Sequence, residues 1–157
     1  MKKLILISII IFFAICSKSW AEDLNGKALH CTGSKNLPYV EPPTYIDYEY
    51  IVSYIFLNNR KVKYLGVSER PPFHIRDWDD HYTYTTDNKN IYFFYKDYKV
   101  FKINRKTLIL SYIKEKWEYV CKLSTEIDIR NDLNRILNKY IKQKEAFDIK
   151  EREGNKI

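Results

Sequence analysis

The chain has 157 residues, with 27 basic against 20 acidic side chains for a net +7, 45 % apolar residues and only four glycines. That length holds one domain with a full hydrophobic core. The cations are spread along the chain without a basic stripe, which argues against a nucleic-acid partner, and so few glycines leave no glycine-rich phosphate loop.

Lys2 and Lys3 precede a nearly unbroken apolar run over residues 4–15, and Ser19-Trp20-Ala21 puts small residues at the two positions a signal peptidase reads. Residues 1–21 therefore read as a cleaved signal peptide. The apolar run is short for a membrane span, which takes about 20 residues. A lipidated Cys16 is the rival, and the bulky Ile15 before it argues against that form. The mature chain, from Glu22, is expected to be soluble, periplasmic or secreted, with no transmembrane anchor. Cleavage takes Lys2, Lys3 and Lys18 and no acid, so 24 basic residues remain against 20 acidic ones, a net +4. It also takes Cys16 and leaves Cys31 and Cys121, the even number expected in an oxidising compartment. A disulfide between them closes a loop worth roughly 4–5 kcal/mol in the chain-entropy model.

The first expected strand is 26–31, with Leu29 and Cys31 on one face and His30 on the other, where it reads as a surface or rim residue. A long loop with Pro38, Pro42 and Pro43 follows. Residues 49–57 form a second strand rich in β-branched and aromatic residues, which turns at Asn58-Asn59-Arg60 into a third over 61–68. The second long loop is 69–80, opened by Pro71 and Pro72. Strands over 81–86 and 91–95 come next, joined at Asp87-Asn88-Lys89-Asn90. The stretch 99–123 reads as three more strands broken at Asn104-Arg105-Lys106 and Lys114-Glu115-Lys116. In the last, Trp117, Tyr119, Cys121 and Leu123 share one face.

The period then changes. Ser124 or Thr125 is a helix cap, with Glu126 and Asp128 favourable in the first turn. Ile129, Leu133, Ile136, Leu137, Tyr140 and Ile141 fall on one stripe at helical spacing. The expected helix covers a sheet face over about 125–145. The single domain is thus 22–147, and 148–157 is a flexible polar tail.

Eight antiparallel strands in sequence order leave two exposed edges unless the first pairs with the last. Cys31 and Cys121 sit on those two strands, so their bond pins the closing seam. The fold class is mainly β, an eight-stranded antiparallel up-and-down barrel with a C-terminal amphipathic α-helix. Both long loops fall at one end, the mouth, while the other end has only tight turns. Meandering short strands, a long first loop and the terminal helix resemble the calycin or lipocalin-like architecture. The segments N-G-K-x-L-x-C at 25–31 and N-R-K-T-L-x-L at 104–110 are similar to uncharacterised small exported proteins of marine alphaproteobacteria. That likeness implies a periplasmic address and no known activity.

The most metal-like cluster is His74, Asp77, Asp79 and His81. Its spacing matches no tetrahedral motif, and Arg76 brings a competing charge into it. No G-x-S-x-G elbow is present, and the disulfide leaves no cysteine nucleophile. Arg105 reads as a structural turn residue, with anion binding at the closed end as its alternative. The aromatics expected inside are Tyr54, Phe56, Tyr64, Tyr82, Phe94 and Trp117, as core filling or the lining of a ligand cavity. The chain is therefore expected to be a non-catalytic binding protein without cofactor. Its mouth would hold a small apolar ligand or a periplasmic protein through Tyr39, Tyr45, Phe73, His74, Arg76 and Trp78. Inhibition of a periplasmic or foreign hydrolase, with a loop inserted in the enzyme's cleft, is the alternative. A metal-dependent enzyme built on the histidine–aspartate cluster stands behind both.

Overall fold

The structure is a computed structural model and describes residues 24–33, 43–114 and 118–154, leaving aside the side chains of 80 and 81. Eight antiparallel strands close into a barrel in sequence order: β1 (Ala28–Gly33), β2 (Ile51–Phe56), β3 (Lys61–Val67), β4 (Ile75–Thr86), β5 (Asn90–Tyr95), β6 (Tyr98–Asn104), β7 (Ile109–Tyr112) and β8 (Glu118–Ser124). A single 3₁₀ turn, Asn58–Arg60, joins β2 to β3, with Asn59 and Arg60 at positive φ. Helix α1 follows as Glu126–Gly154. Closure leaves no sheet edge exposed, the hazard of an open eight-stranded meander.

The seam lies where the cysteines put it. In the β1–β8 register Cys31 stands directly opposite Cys121, and the two sulfurs are bonded. Inward residues alternate along every strand. Tyr54, Phe56, Val62, Tyr84, Phe93, Ile103 and Leu110 fill the barrel with Leu29 and the disulfide. Tyr54 is the hub, in ring contact with Tyr64, Tyr82, Phe93 and Phe101. Aromatic side chains in mutual contact thus occupy the described interior around Tyr54. Phe94, expected inside, points out, and Phe93 takes the inner place opposite Tyr84. The β5–β6 register slips by one between Phe93 and Phe94. Trp117 lies outside the described residues.

A second core lies outside the barrel. Ile129, Leu133, Ile136 and Tyr140 of α1 pack on the outward Ala28, Ile55, Leu65 and Val67 of β1, β2 and β3. Thr125 caps the helix: its hydroxyl accepts the Asp128 N–H at 3.1 Å and donates to the Asp128 carboxylate at 2.7 Å. Ion pairs flank the apolar stripe, Arg130 with Asp77, Arg135 with Glu49, and Lys139 with Asp47 and Glu49.

Two elements differ from expectation. Strand β4 begins at Ile75, inside what reads as the second long loop, because only Pro71 and Pro72 break pairing; from Ile75 on, each residue through Trp78 has a partner on β3. Between the pairs Val62–Tyr82 and Tyr64–Trp78, one residue of β3 faces three of β4, an irregularity that preserves the inward alternation. The helix continues through Gly154, so 148–154 is helical. Phe147 stacks on Tyr45 at 4.4 Å and Lys144 bonds Asp148, which ties the extra turns down.

Candidate functional site

At the mouth end of β3 and β4 the inward face becomes ionic as well as aromatic. Trp78 stacks on Tyr64 at 5.2 Å, and the Arg76 guanidinium lies 5.5 Å from the centre of the Trp78 ring. Arg76 forms a two-pronged ion pair with Glu69, Nη1 to Oε1 at 2.8 Å and Nη2 to Oε2. Trp78 is 43 % exposed although it faces inward, so part of its ring meets solvent at the opening. Gly66, opposite Arg76, makes the arrangement possible. A Cβ there would sit 2.7 Å from the Tyr64 hydroxyl oxygen.

Burial pushes the Tyr64 hydroxyl up to about 12, with the Glu69 carboxylate adding to it. Burial raises Tyr48, Tyr82 and Tyr119 in the same way. Their O–H groups therefore stay protonated at neutral pH and remain donors. Tyr119 closes over the end of β1, where only a glycine fits: a Cβ on Gly33 would lie 2.6 Å from its ring. A groove of about 350 Å³ lies beside this rim, between Thr32-Gly33 and 47–51, with Lys139 in its wall.

Of the residues expected at the mouth, Arg76 and Trp78 come together there. Phe73 and Tyr45 do not. They belong to the outer core, Phe73 edge-on to Tyr140 at 5.6 Å and Tyr45 on Phe147. His74 is exposed and turned back on its own loop, Nδ1 donating to the Pro72 carbonyl at 2.8 Å. Tyr39 lies outside the described residues. Asp77 and Asp79 of the metal-like cluster face outward, and both bond the Lys63 ammonium, at 3.0 and 3.2 Å. Asp77 also takes Arg130 of the helix, and these cations hold its carboxyl below the usual range against the opposing effect of burial. Among the described residues no group of three or more metal-ligating side chains gathers. The side chain of His81 is not among them. Glu69 went unnoticed in the sequence. The signal available was an acid and a base, Glu69 and Arg76, on either side of a Pro-Pro turn.

A second constellation also escaped the sequence. Under the helix, His30 Nε2 meets Asp132 Oδ2 at 3.1 Å, and Nδ1 meets Ser53 Oγ at 2.9 Å. A carboxylate only accepts, so Nε2 carries the proton and the Ser53 hydroxyl donates to Nδ1. The residue types are those of a hydrolase triad, but the arrangement is not. In such triads Nε2 takes the serine proton and Nδ1–H faces the aspartate, the reverse of the ring here. Ser53 is 0 % exposed, so no substrate reaches it. The set works as a polar staple joining β1, β2 and α1. His30 is thus a buried residue at 5 % exposure, not a surface one, because the helix covers the outer face of β1.

No protein-family model matches the chain, and neither does any curated protein or any solved structure. The closed eight-stranded barrel with one C-terminal helix is consistent with a lipocalin-like architecture, and the likeness stops at architecture. Among the described residues no helix is long and apolar enough to cross a membrane. The disulfide fits an oxidising compartment.

Proposed function

We propose that this is an exported, non-catalytic binding protein that takes a protein partner at the mouth of its barrel. The single observation behind this reading is the Tyr64–Trp78–Arg76–Glu69 stack. An aromatic face and a pre-oriented guanidinium lie side by side at the opening, the residue types that dominate protein interfaces. The aromatic packing around Tyr54 favours a partner at the rim over an apolar ligand enclosed below it. Export rests on the signal-like N-terminus and the disulfide. The test is a photocrosslinking residue, p-benzoylphenylalanine, placed at Trp78 or, as a control, at Ile149 on the helix, with irradiation of intact cells. The reading expects a discrete adduct from position 78 alone, lost when Arg76→Ala is added. No adduct, or the same adducts from both positions, overturns it.

A second reading, insertion of a loop into a hydrolase cleft, draws on the bracing of 68–74. The Ser68 N–H donates to the His74 carbonyl, the Ser68 hydroxyl accepts the His74 N–H at 3.0 Å, and Glu69 is fixed by Arg76. Pro71 and Pro72 are exposed at its tip. A loop held so firmly loses little freedom on binding. In that case the crosslinked partner is a hydrolase, and the purified protein slows it.

A further inference from the structure

The closed end of the barrel, opposite the mouth, carries a different chemistry. Its three strand connections, 57–60, 87–89 and 105–108, hold Arg60, Lys89, Arg105 and Lys106 against one acid, Asp87. Two of these turns, β4–β5 and β6–β7, enclose a concave pocket of about 560 Å³ lined by Asn88, Lys89, Asn104, Arg105, Lys106 and Thr107. Among the described residues, three cations and no carboxylate line it.

Both turns are held in place from within. The Asp87 carboxylate accepts the Lys89 and Asn90 N–H groups at 2.7 Å and the Tyr92 hydroxyl at 2.9 Å, so it is drawn into its own turn. These hydrogen bonds hold it ionised. The Asn104 side chain accepts from Lys106 and Thr107 in the same manner. The Arg105 N–H donates to the Lys89 carbonyl at 2.8 Å, and its guanidinium to the Asp87 carbonyl at 3.2 Å, which locks one turn to the other. Among the described residues no hydrogen bond or ion pair takes up the ammonium groups of Lys89 and Lys106.

We propose that this pocket binds the phosphoryl group of a small polyol phosphate. Three cations around one concavity suit a phosphoryl oxyanion, which carries about two negative charges at neutral pH as a monoester and a single one as a diester. The volume lies within the roughly 300–1,000 Å³ of small-molecule sites and exceeds that of a bare anion. The occupant therefore has a body beside its charge, and the Asn88, Asn104 and Thr107 side chains are hydrogen-bonding partners for its hydroxyls. A free sugar or glycerol phosphate and the headgroup of a glycerophospholipid share this chemistry. The site is separate from the mouth and does not depend on it.

The experiment is a titration of the isotopically labelled protein with glycerol 3-phosphate at constant ionic strength, followed by amide NMR. A parallel arm sediments the protein with phosphatidylglycerol or phosphatidylcholine vesicles. The proposal expects saturable shifts confined to 88–89 and 104–107. It expects Lys89→Gln with Lys106→Gln to weaken binding about tenfold or more, because charged hydrogen-bond donors are lost. Lys142→Gln with Lys150→Gln, the same charge loss on the helix, should leave binding unchanged. Binding to free glycerol phosphate identifies a soluble ligand. Binding only to the anionic vesicles identifies a headgroup displayed on a surface. Absence of both overturns the proposal, as does an equal loss in the helix control.

Discussion

Beneath α1 the Ser53–His30–Asp132 staple makes a prediction about acid. Burial lowers the His30 pKa below 6.5, with Lys122 and Arg135 adding to it, and Asp132 opposes without reversing it. The unfolded chain therefore binds a proton below pH 6.5 that the folded chain refuses, and stability falls as pH drops through that window. Glu49 and Asp77, whose pKa values lie below 4.5 and 3.8, act only at lower pH. Urea denaturation at pH 7.5 and 5.2 should show a loss in the native protein that is smaller in His30→Gln. An equal loss in both places the acid sensitivity elsewhere. The glycine at 66 is a second point of leverage. Gly66→Ala sets a methyl 2.7 Å from the Tyr64 hydroxyl oxygen, and that ring is held between Tyr54 and Trp78. The expected cost is about 1–3 kcal/mol, partly recovered by adding Tyr64→Phe, as read from thermal unfolding of the two variants.

Helix α1 was legible at the level of the element because its stripe is periodic and two adjacent capping residues, Ser124 and Thr125, precede it, of which Thr125 is the cap. Thr125→Ala removes the cap and should cost about 1 kcal/mol in denaturant-measured stability; no change would mean that packing alone ends the helix. Its last turns were not legible. They depend on the Tyr45–Phe147 stack, a contact across about a hundred residues that leaves no periodic trace. Strand β4 was half legible for a related reason. Ile75-Arg76-Asp77-Trp78 alternates, but charges on both faces look like loop when neither the helix that pairs with Asp77 nor the ring that receives Arg76 is in view. The same blindness hid the staple, because His30, Ser53 and Asp132 meet only once α1 lies on the barrel. Tyr45 and Phe73 were read as mouth residues on loop position alone, whereas apolar contact with Tyr140 and Phe147 decides where they go.

For the whole molecule, the barrel was readable from strand alternation, hairpin-length breaks and two cysteines on the terminal strands. The Cys31–Cys121 bond spans 90 residues and sits on the closing pair of strands. Replacing both cysteines by alanine should lower stability by roughly 2–5 kcal/mol, measured by equilibrium denaturation. A loss near zero would show that the β1–β8 hydrogen bonds close the barrel unaided. The sequence did not reveal whether the barrel is a container. Tyr54, Phe56, Tyr64 and Tyr82 would line a cavity or fill a core equally well in the sequence, whereas in the fold Tyr54 and Phe56 pack against Phe93, and Tyr54 against Phe101. Under the proposed function the barrel works at its ends and carries no apolar ligand inside. Native mass spectrometry of the protein isolated from its own host, before and after mild denaturation, tests this most directly. The expected result is one oxidised chain with no apolar small molecule released on unfolding. A reproducible lipid-sized mass that leaves only when the barrel opens would contradict it.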